Sequence, residues 1–197
     1  MLLGVVLLYV GVVLIVNGIW LIGQAQAASA QATAGDASVL AGGPAFIENR
    51  EVAIINVFTG FVGVVAAVTL AVQGNNAGDL ASIRGGGYIL LFAFTYLWVA
   101  YNQYVDAGGH AFGWYCLFVA VTAVVAGIFT FANADGNSAS IYLGFCWLAW
   151  AVLWFVFFLL LALDRPLAKF AGALAIVEGI ATAWVFGILL LEDVIAF

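Results

Sequence analysis

Charge is what this chain has least of. Its 197 residues include four Lys or Arg, ten Asp or Glu and one His, so 7% are charged against 67% hydrophobic. Soluble domains commit about a quarter of their residues to charge, so the composition excludes that class and points to an integral membrane protein. With four basic residues there is no nucleic-acid footprint and no basic membrane-surface patch, and no nucleic-acid partner is expected. The lone histidine, His110, cannot build a bis-histidine haem site or a histidine-rich metal cluster, and neither metal nor cofactor is expected. Cys116 and Cys146 both fall inside apolar runs, as small buried hydrophobes do. The single lysine, Lys169, sits at the start of a hydrophobic run rather than mid-span, which argues against a retinal protein.

The uncharged runs organise the chain as one domain, 1–197, of six spans. They are about 2–22, 52–72, 86–104, 113–131, 140–163 and 167–191, each close to the roughly 20 residues that cross a hydrocarbon core. The first run, Leu2 to Ile22, is read as a span although Ala25, Gln26 and Ala27 resemble a cleavage site. It is long for a signal-peptide core, and no Lys or Arg precedes it. Gly23 to Arg50 shifts to Ala, Gln, Ser and Gly and reads as a loop, partly helical or interfacial, ending in Glu48, Asn49, Arg50 and Glu51. Gln73 to Gly85, Val105 to Phe112 (with Asp106 and His110) and Ala132 to Ser138 read as polar links. Asp164, Arg165 and Pro166 form a tight turn, with the proline in the first helical turn, where its missing N–H costs nothing.

Six spans put both termini on one side. Arg50, Arg165 and Lys169 flank odd-to-even links, whereas only Arg84 lies in an even-to-odd link. By the positive-inside rule the former face the cytoplasm, so both termini are expected outside a bacterial inner membrane.

Polar and aromatic residues inside the spans carry the candidate chemistry. Trp147, Trp150 and Trp154 fall at i, i+3 and i+7 and share one helical stripe. Interfacial belts are the usual place for tryptophan, yet Trp150 is about ten residues into its run, roughly 15 Å deep. The stripe is either bulky packing between helices or the wall of a flat slot. Glu178 is the one carboxylate well inside any span, and intramembrane carboxylates usually face a cavity or the bundle interior. Thr182 follows one turn later on its face. Asn17, on a face continued by Leu14, offers donors and an acceptor to a solute or to a neighbouring helix. Phe94, Trp98 and Tyr101 form an aromatic face on the third span, and V-N-G-I at Val16 to Ile19 weakly echoes V-E-G-I at Val177 to Ile180.

Several blocks together resemble the urea/amide channel family, UreI/AmiS. They are L-L-Y-V-G-V-V-L-I-V-N-G (Leu7 to Gly18), F-T-Y-L (Phe94 to Leu97), W-Y-x-L-F-V-A (Trp114 to Ala120), W-L-A-W-A-V-L-W (Trp147 to Trp154) and I-V-E-G-I-A-T-A-W (Ile176 to Trp184). The resemblance implies an all-α bundle of six transmembrane helices with a pore inside each protomer, and a homohexameric ring around lipid. It implies a pore lined by Trp150, Leu153, Trp154 and Glu178, and further by Asn17, Leu14, Phe94 and Trp98, the last in place of a tyrosine in the acid-gated member. It also implies passive passage of urea or short-chain aliphatic amides beside a cytoplasmic urease or amidase.

The chemistry of such solutes suits this wall. They are small, planar and uncharged, so indole faces can sandwich them while Glu178 and Asn17 replace part of their hydration. The acid-gated member carries outward histidines; here no histidine is expected to face out, so acid gating is not expected. An enzyme would need a nucleophile, acid–base pair or metal set, and Glu178 has no ionisable partner within any span, so none is expected. The competing class is a proton-coupled transporter of small amides with Glu178 as its carrier carboxylate.

Overall fold

The computed structural model describes residues 2–34, 46–105 and 107–197. Its helices are α1 (Leu2–Ala34), α2 (Asn49–Ala77), α3 (Leu80–Val105), α4 (His110–Ala132), α5 (Ser138–Leu161), α6 (Ala168–Glu178) and α7 (Val185–Leu191). A π-helical turn, Gly179–Trp184, joins α6 to α7, so the last three segments make one sixth span. All six spans are long and apolar enough to cross a bilayer.

Helix ends depart from the hydropathic boundaries for local reasons. α1 continues to Ala34, which makes the first part of the expected, partly helical loop from Gly23 an extension of the span, because Ala and Gln sustain a helix after the apolar run stops. Residues 35–45 of that expected loop, and Asp106, lie outside the described residues. The acidic cluster starts α2 instead of ending a loop, with the Glu48 N–H donating to Glu51 Oε2 at 2.8 Å. The expected link 73–85 shrinks to a two-residue turn. Gly78 takes a left-handed φ of 67°, which glycine adopts without strain, and Asp79 then caps α3 by accepting from the Ala81 N–H at 2.9 Å. Pro166 precedes the N-cap Leu167 and so stands just outside α6, not in its first turn.

The helices pack chiefly as three antiparallel pairs: α2 on α3, α4 on α5, and α1 on the α6–α7 span. Lipid supplies no hydrophobic drive between helices, so close approach at small residues must do more of the work. The α1 seam shows it. A Cβ on Gly18 would lie 2.5 Å from the Gly172 carbonyl oxygen, one on Gly11 would lie 2.9 Å from Trp184 Cβ, and one on Gly4 would lie 3.1 Å from the Gly187 oxygen. Broad faces of α2 and α4, including Phe58, Phe61, Trp114 and Phe118, stay exposed on the outside.

Candidate functional site

Two cavities lie inside the bundle, lined mainly by the odd-numbered helices. The larger, about 520 Å³, runs from Ser82, Arg84, Asn133 and Phe197 inward to Leu14, Tyr96 and Trp154. The smaller, about 230 Å³, runs from those same three residues past Asn17, Leu153 and Phe157 to Ala107 and Gly109 on the opposite face. Leu14, Tyr96 and Trp154 border both and form the partition between them. A water occupies about 30 Å³ of liquid, so the smaller space holds only a handful of small molecules.

The tryptophan stripe faces inward. Trp147, Trp150 and Trp154 all line the larger cavity, and each is at most 8% exposed. One ring ties them together: Phe92 lies with its centroid 5.5, 5.4 and 5.8 Å from those of Trp147, Trp150 and Trp154. Tyr88 meets Trp147 edge-on at 5.2 Å. Tyr88, Phe92 and Tyr96 thus form the aromatic wall of α3, at spacings of four.

That wall corrects the aromatic face expected on the third span. Phe94 is 50% exposed and turned outward. Trp98 packs 5.5 Å from both Phe112 and Tyr115 on α4 and borders neither cavity. Phe92 and Tyr96 were missed. Their only signal was the i, i+4, i+8 spacing from Tyr88, which competes with the equally regular Phe94, Trp98, Tyr101 stripe.

Asn17 lines the smaller cavity, and its amide is paired across helices. It donates to Asn56 Oδ1 at 3.1 Å and accepts from Asn56 Nδ2 at 2.6 Å. Asn56 is fully buried and also donates to the Val52 carbonyl. The amide pair therefore serves the α1–α2 contact first. Leu153 lines the smaller cavity beside it.

Glu178 is 5% exposed at the end of α6, and its Oε2 finds no hydrogen-bond partner among the described residues. It borders neither cavity. The adjacent Gly179 is so close to α1 that an added Cβ would lie 2.9 Å from Leu14 Cβ, which puts Glu178 at the level of the partition. Thr182 accepts from Trp150 Nε1 at 2.7 Å and donates to the Glu178 carbonyl at 2.6 Å. The echoed Asn17 and Glu178 sit at different levels, because Gly18 meets Gly172 and Gly11 meets Gly179 across the antiparallel seam. No group of three or more His, Cys, Asp or Glu among the described residues could hold a metal.

Comparison with known proteins agrees with this architecture. The family model described as AmiS/UreI family transporter matches residues 45–194. A Mycolicibacterium smegmatis protein described as a candidate transporter of amidate substrates is 41% identical over 138 residues, 70% of this chain and 62% of that protein. The chain thus spans somewhat under two thirds of that relative's length. The acid-activated urea channel of Helicobacter pylori strain J99 is 33% identical over 161 residues, 71% of this chain and 83% of the relative. The crystal structure of the H. pylori urea channel superposes with a TM-score of 0.77 at 33% identity, covering 100% of both chains. A cryo-EM structure of that channel in a closed state gives the same score, covering 98% of this chain and 100% of the other. These relatives are channels and transporters, not enzymes. The chain is a multi-pass membrane protein and belongs to the AmiS/UreI family of urea and amide channels and transporters.

Proposed function

We propose that this protein is a passive channel for urea or short-chain aliphatic amides in a bacterial inner membrane. The observation that carries this reading is the pair of end-to-end cavities divided by Leu14, Tyr96 and Trp154. A planar amide can slide between aromatic faces there, while an ion would lose far more hydration than such a wall replaces. Both termini face out, the protomers form a homohexamer surrounded by membrane lipids, and the solute feeds a cytoplasmic urease or amidase. Stopped-flow light scattering on proteoliposomes tests the core of this. Urea, acetamide and thiourea should equilibrate rapidly and down their gradients only. Absence of flux for all three would overturn the reading.

External pH should matter little. In this orientation the outer face carries Asp79, Asp135, Glu192 and Asp193, and the only histidine, His110, pairs with Asp164 at 3.5 Å on the opposite face. Asp79 accepts from the Ser82 hydroxyl and the Ala81 N–H, and these bonds hold its carboxylate below the usual 3.8. A depressed carboxylate keeps its charge above its ordinary pKa and loses it only in stronger acid, so Asp79 does not titrate between about pH 5 and 7.5. Uptake should vary less than about twofold over that window, against tenfold for a full 1.4 kcal/mol of gating free energy. A steep rise at pH 5, as an acid-activated channel would give, refutes ungated conduction.

A second reading has one observation in its favour, the Glu178 Oε2 that has no hydrogen-bond partner among the described residues. A proton-coupled transporter would use that carboxylate as its carrier. Glu178→Gln keeps shape and size but cannot ionise. In a channel it should leave the fold intact and alter flux only partially. In a coupled transporter it abolishes accumulation, and an uncoupler does the same to the unaltered protein.

A further inference from the structure

Spacing places Thr182 one turn beyond Glu178 on the same face, as a candidate contact to the solute. Its hydroxyl is otherwise engaged. Thr69, Thr95, Thr122 and Thr130 each donate to the carbonyl four residues back, the usual habit of a helical threonine. Thr182 does the same to Glu178, but among the described residues it is the threonine that also accepts an indole N–H, from Trp150 at 2.7 Å. A hydroxyl has one proton to give, and here it is spent on the backbone.

The backbone that receives it is unusual. Gly172 and Gly179 meet α1 seven residues apart, whereas Gly179 and Gly187 meet it eight apart. Eight residues of α-helix turn about 800°, roughly 80° past two full turns. The π-turn Gly179–Trp184 absorbs the extra residue and keeps both glycines on the seam. Its carbonyls are held by side chains of α5: the Tyr142 hydroxyl donates to the Ala181 carbonyl at 2.6 Å, and the Cys146 thiol to the Thr182 carbonyl at 3.6 Å. The turn is thus pinned to the helix that carries Trp150.

We propose that Thr182 is a positioning residue acting through Trp150: anchored on the pinned π-turn, it fixes the plane of the indole that walls the larger cavity. Trp150 has a single polar handle, its Nε1–H, and the wall it joins is otherwise apolar or aromatic at that depth. With the handle tied to Thr182, the ring offers solutes its face and edge, not a donor. Untied, the indole can rotate, and its N–H is free to catch a passing carbonyl.

Two arms test this, and only the second rests on the channel reading. The first is ¹⁵N–¹H NMR of the indoles, with the Trp150 signal assigned by its loss in Trp150→Phe. In the wild-type protein that indole proton should exchange slowly with D₂O although its ring borders a cavity. Thr182→Val, close in shape but without the hydroxyl, should move it upfield and speed its exchange, and Thr182→Ser should return it towards the wild-type position. The second arm is proteoliposome flux. Thr182→Val should change the thiourea-to-urea permeability ratio by about threefold or more, and Thr182→Ser should restore it, as expected when discrimination comes from how a wall is presented. An indole resonance unmoved in Thr182→Val, or fast exchange in the wild type, overturns the proposal. If Thr182→Val does not fold, the wild-type exchange rate still decides. Absence of wild-type flux alongside the expected NMR shifts would sink the channel reading and leave the positioning role standing.

Discussion

Trp154→Ala is expected to merge the two cavities and erase most of the discrimination between urea and thiourea. Trp154 is 4% exposed and borders both spaces, with Leu14 and Tyr96 completing the partition. Removing the indole takes away the broadest of the three side chains, leaving an opening that its neighbours on α5, Trp150 and Leu153, cannot close without leaving their own contacts. Steric discrimination of one methylene-sized group is worth about 1–3 kcal/mol. Losing it should raise the thiourea-to-urea permeability ratio about tenfold, a change of ~1.4 kcal/mol in relative barrier. The same deletion costs stability, because Phe92 at 5.8 Å and Phe157 at 6.3 Å lose a ring they pack against; buried Trp→Ala changes cost ~3–5 kcal/mol in soluble cores. Trp154→Phe separates the effects, because its ring restores part of the packing and closes part of the gap that alanine opens. A well-folded Trp154→Ala protein with an unchanged solute ratio would mean that the division between cavities is not where solutes are sorted.

The membrane fold was legible because hydropathy counts residues, and a run of about 20 apolar ones is its own signal. Where each helix stops was less so. The link was expected to run through Gly85, with the span starting at Gly86, yet Gly85, Gly86 and Gly87 all lie inside α3, and Gly86 is there because a Cβ would lie 2.7 Å from the Ala67 carbonyl oxygen of α2. In a bilayer a glycine cluster can mark contact as readily as a turn, and sequence alone does not separate the two.

The inward stripe of α5 was legible and that of α3 was not, for one reason. In water the polar face of a helix marks the outside; in lipid the outside is as apolar as the core, so periodicity identifies stripes without saying which way they face. On α5 depth settled the matter, since three tryptophans far from an interface need an interior. On α3 two aromatic stripes were equally regular, and Phe94 proved to be outward while Phe92 stands among the three indoles. The Asn17–Asn56 pair was half visible: Asn17 was recognisable as an intramembrane amide, but its partner 39 residues on could come only from the packing of α1 on α2.

Gly18→Ala and Gly87→Ala are the same chemical change and should move stability in opposite directions. At Gly87 nothing lies within 4 Å of an added Cβ, so alanine brings only its better helix propensity, worth up to ~1 kcal/mol. At Gly18 the Cβ would lie 2.5 Å from the Gly172 oxygen and 2.6 Å from Ile176 Cγ1. The side chain can turn away, but the backbone oxygen cannot, so α1 must move off α6. Overpacking of this kind costs ~1–3 kcal/mol. The displacement would not stay local, because α1 carries Leu14 to the partition and Asn17 to its bond with Asn56. Thermal unfolding in detergent should therefore show a lower midpoint for Gly18→Ala and an equal or higher one for Gly87→Ala. At temperatures where both remain folded, only Gly18→Ala should change flux. Equal midpoints would show that the α1–α6 seam yields without cost, and the partition would then have to be held from α3 and α5 alone.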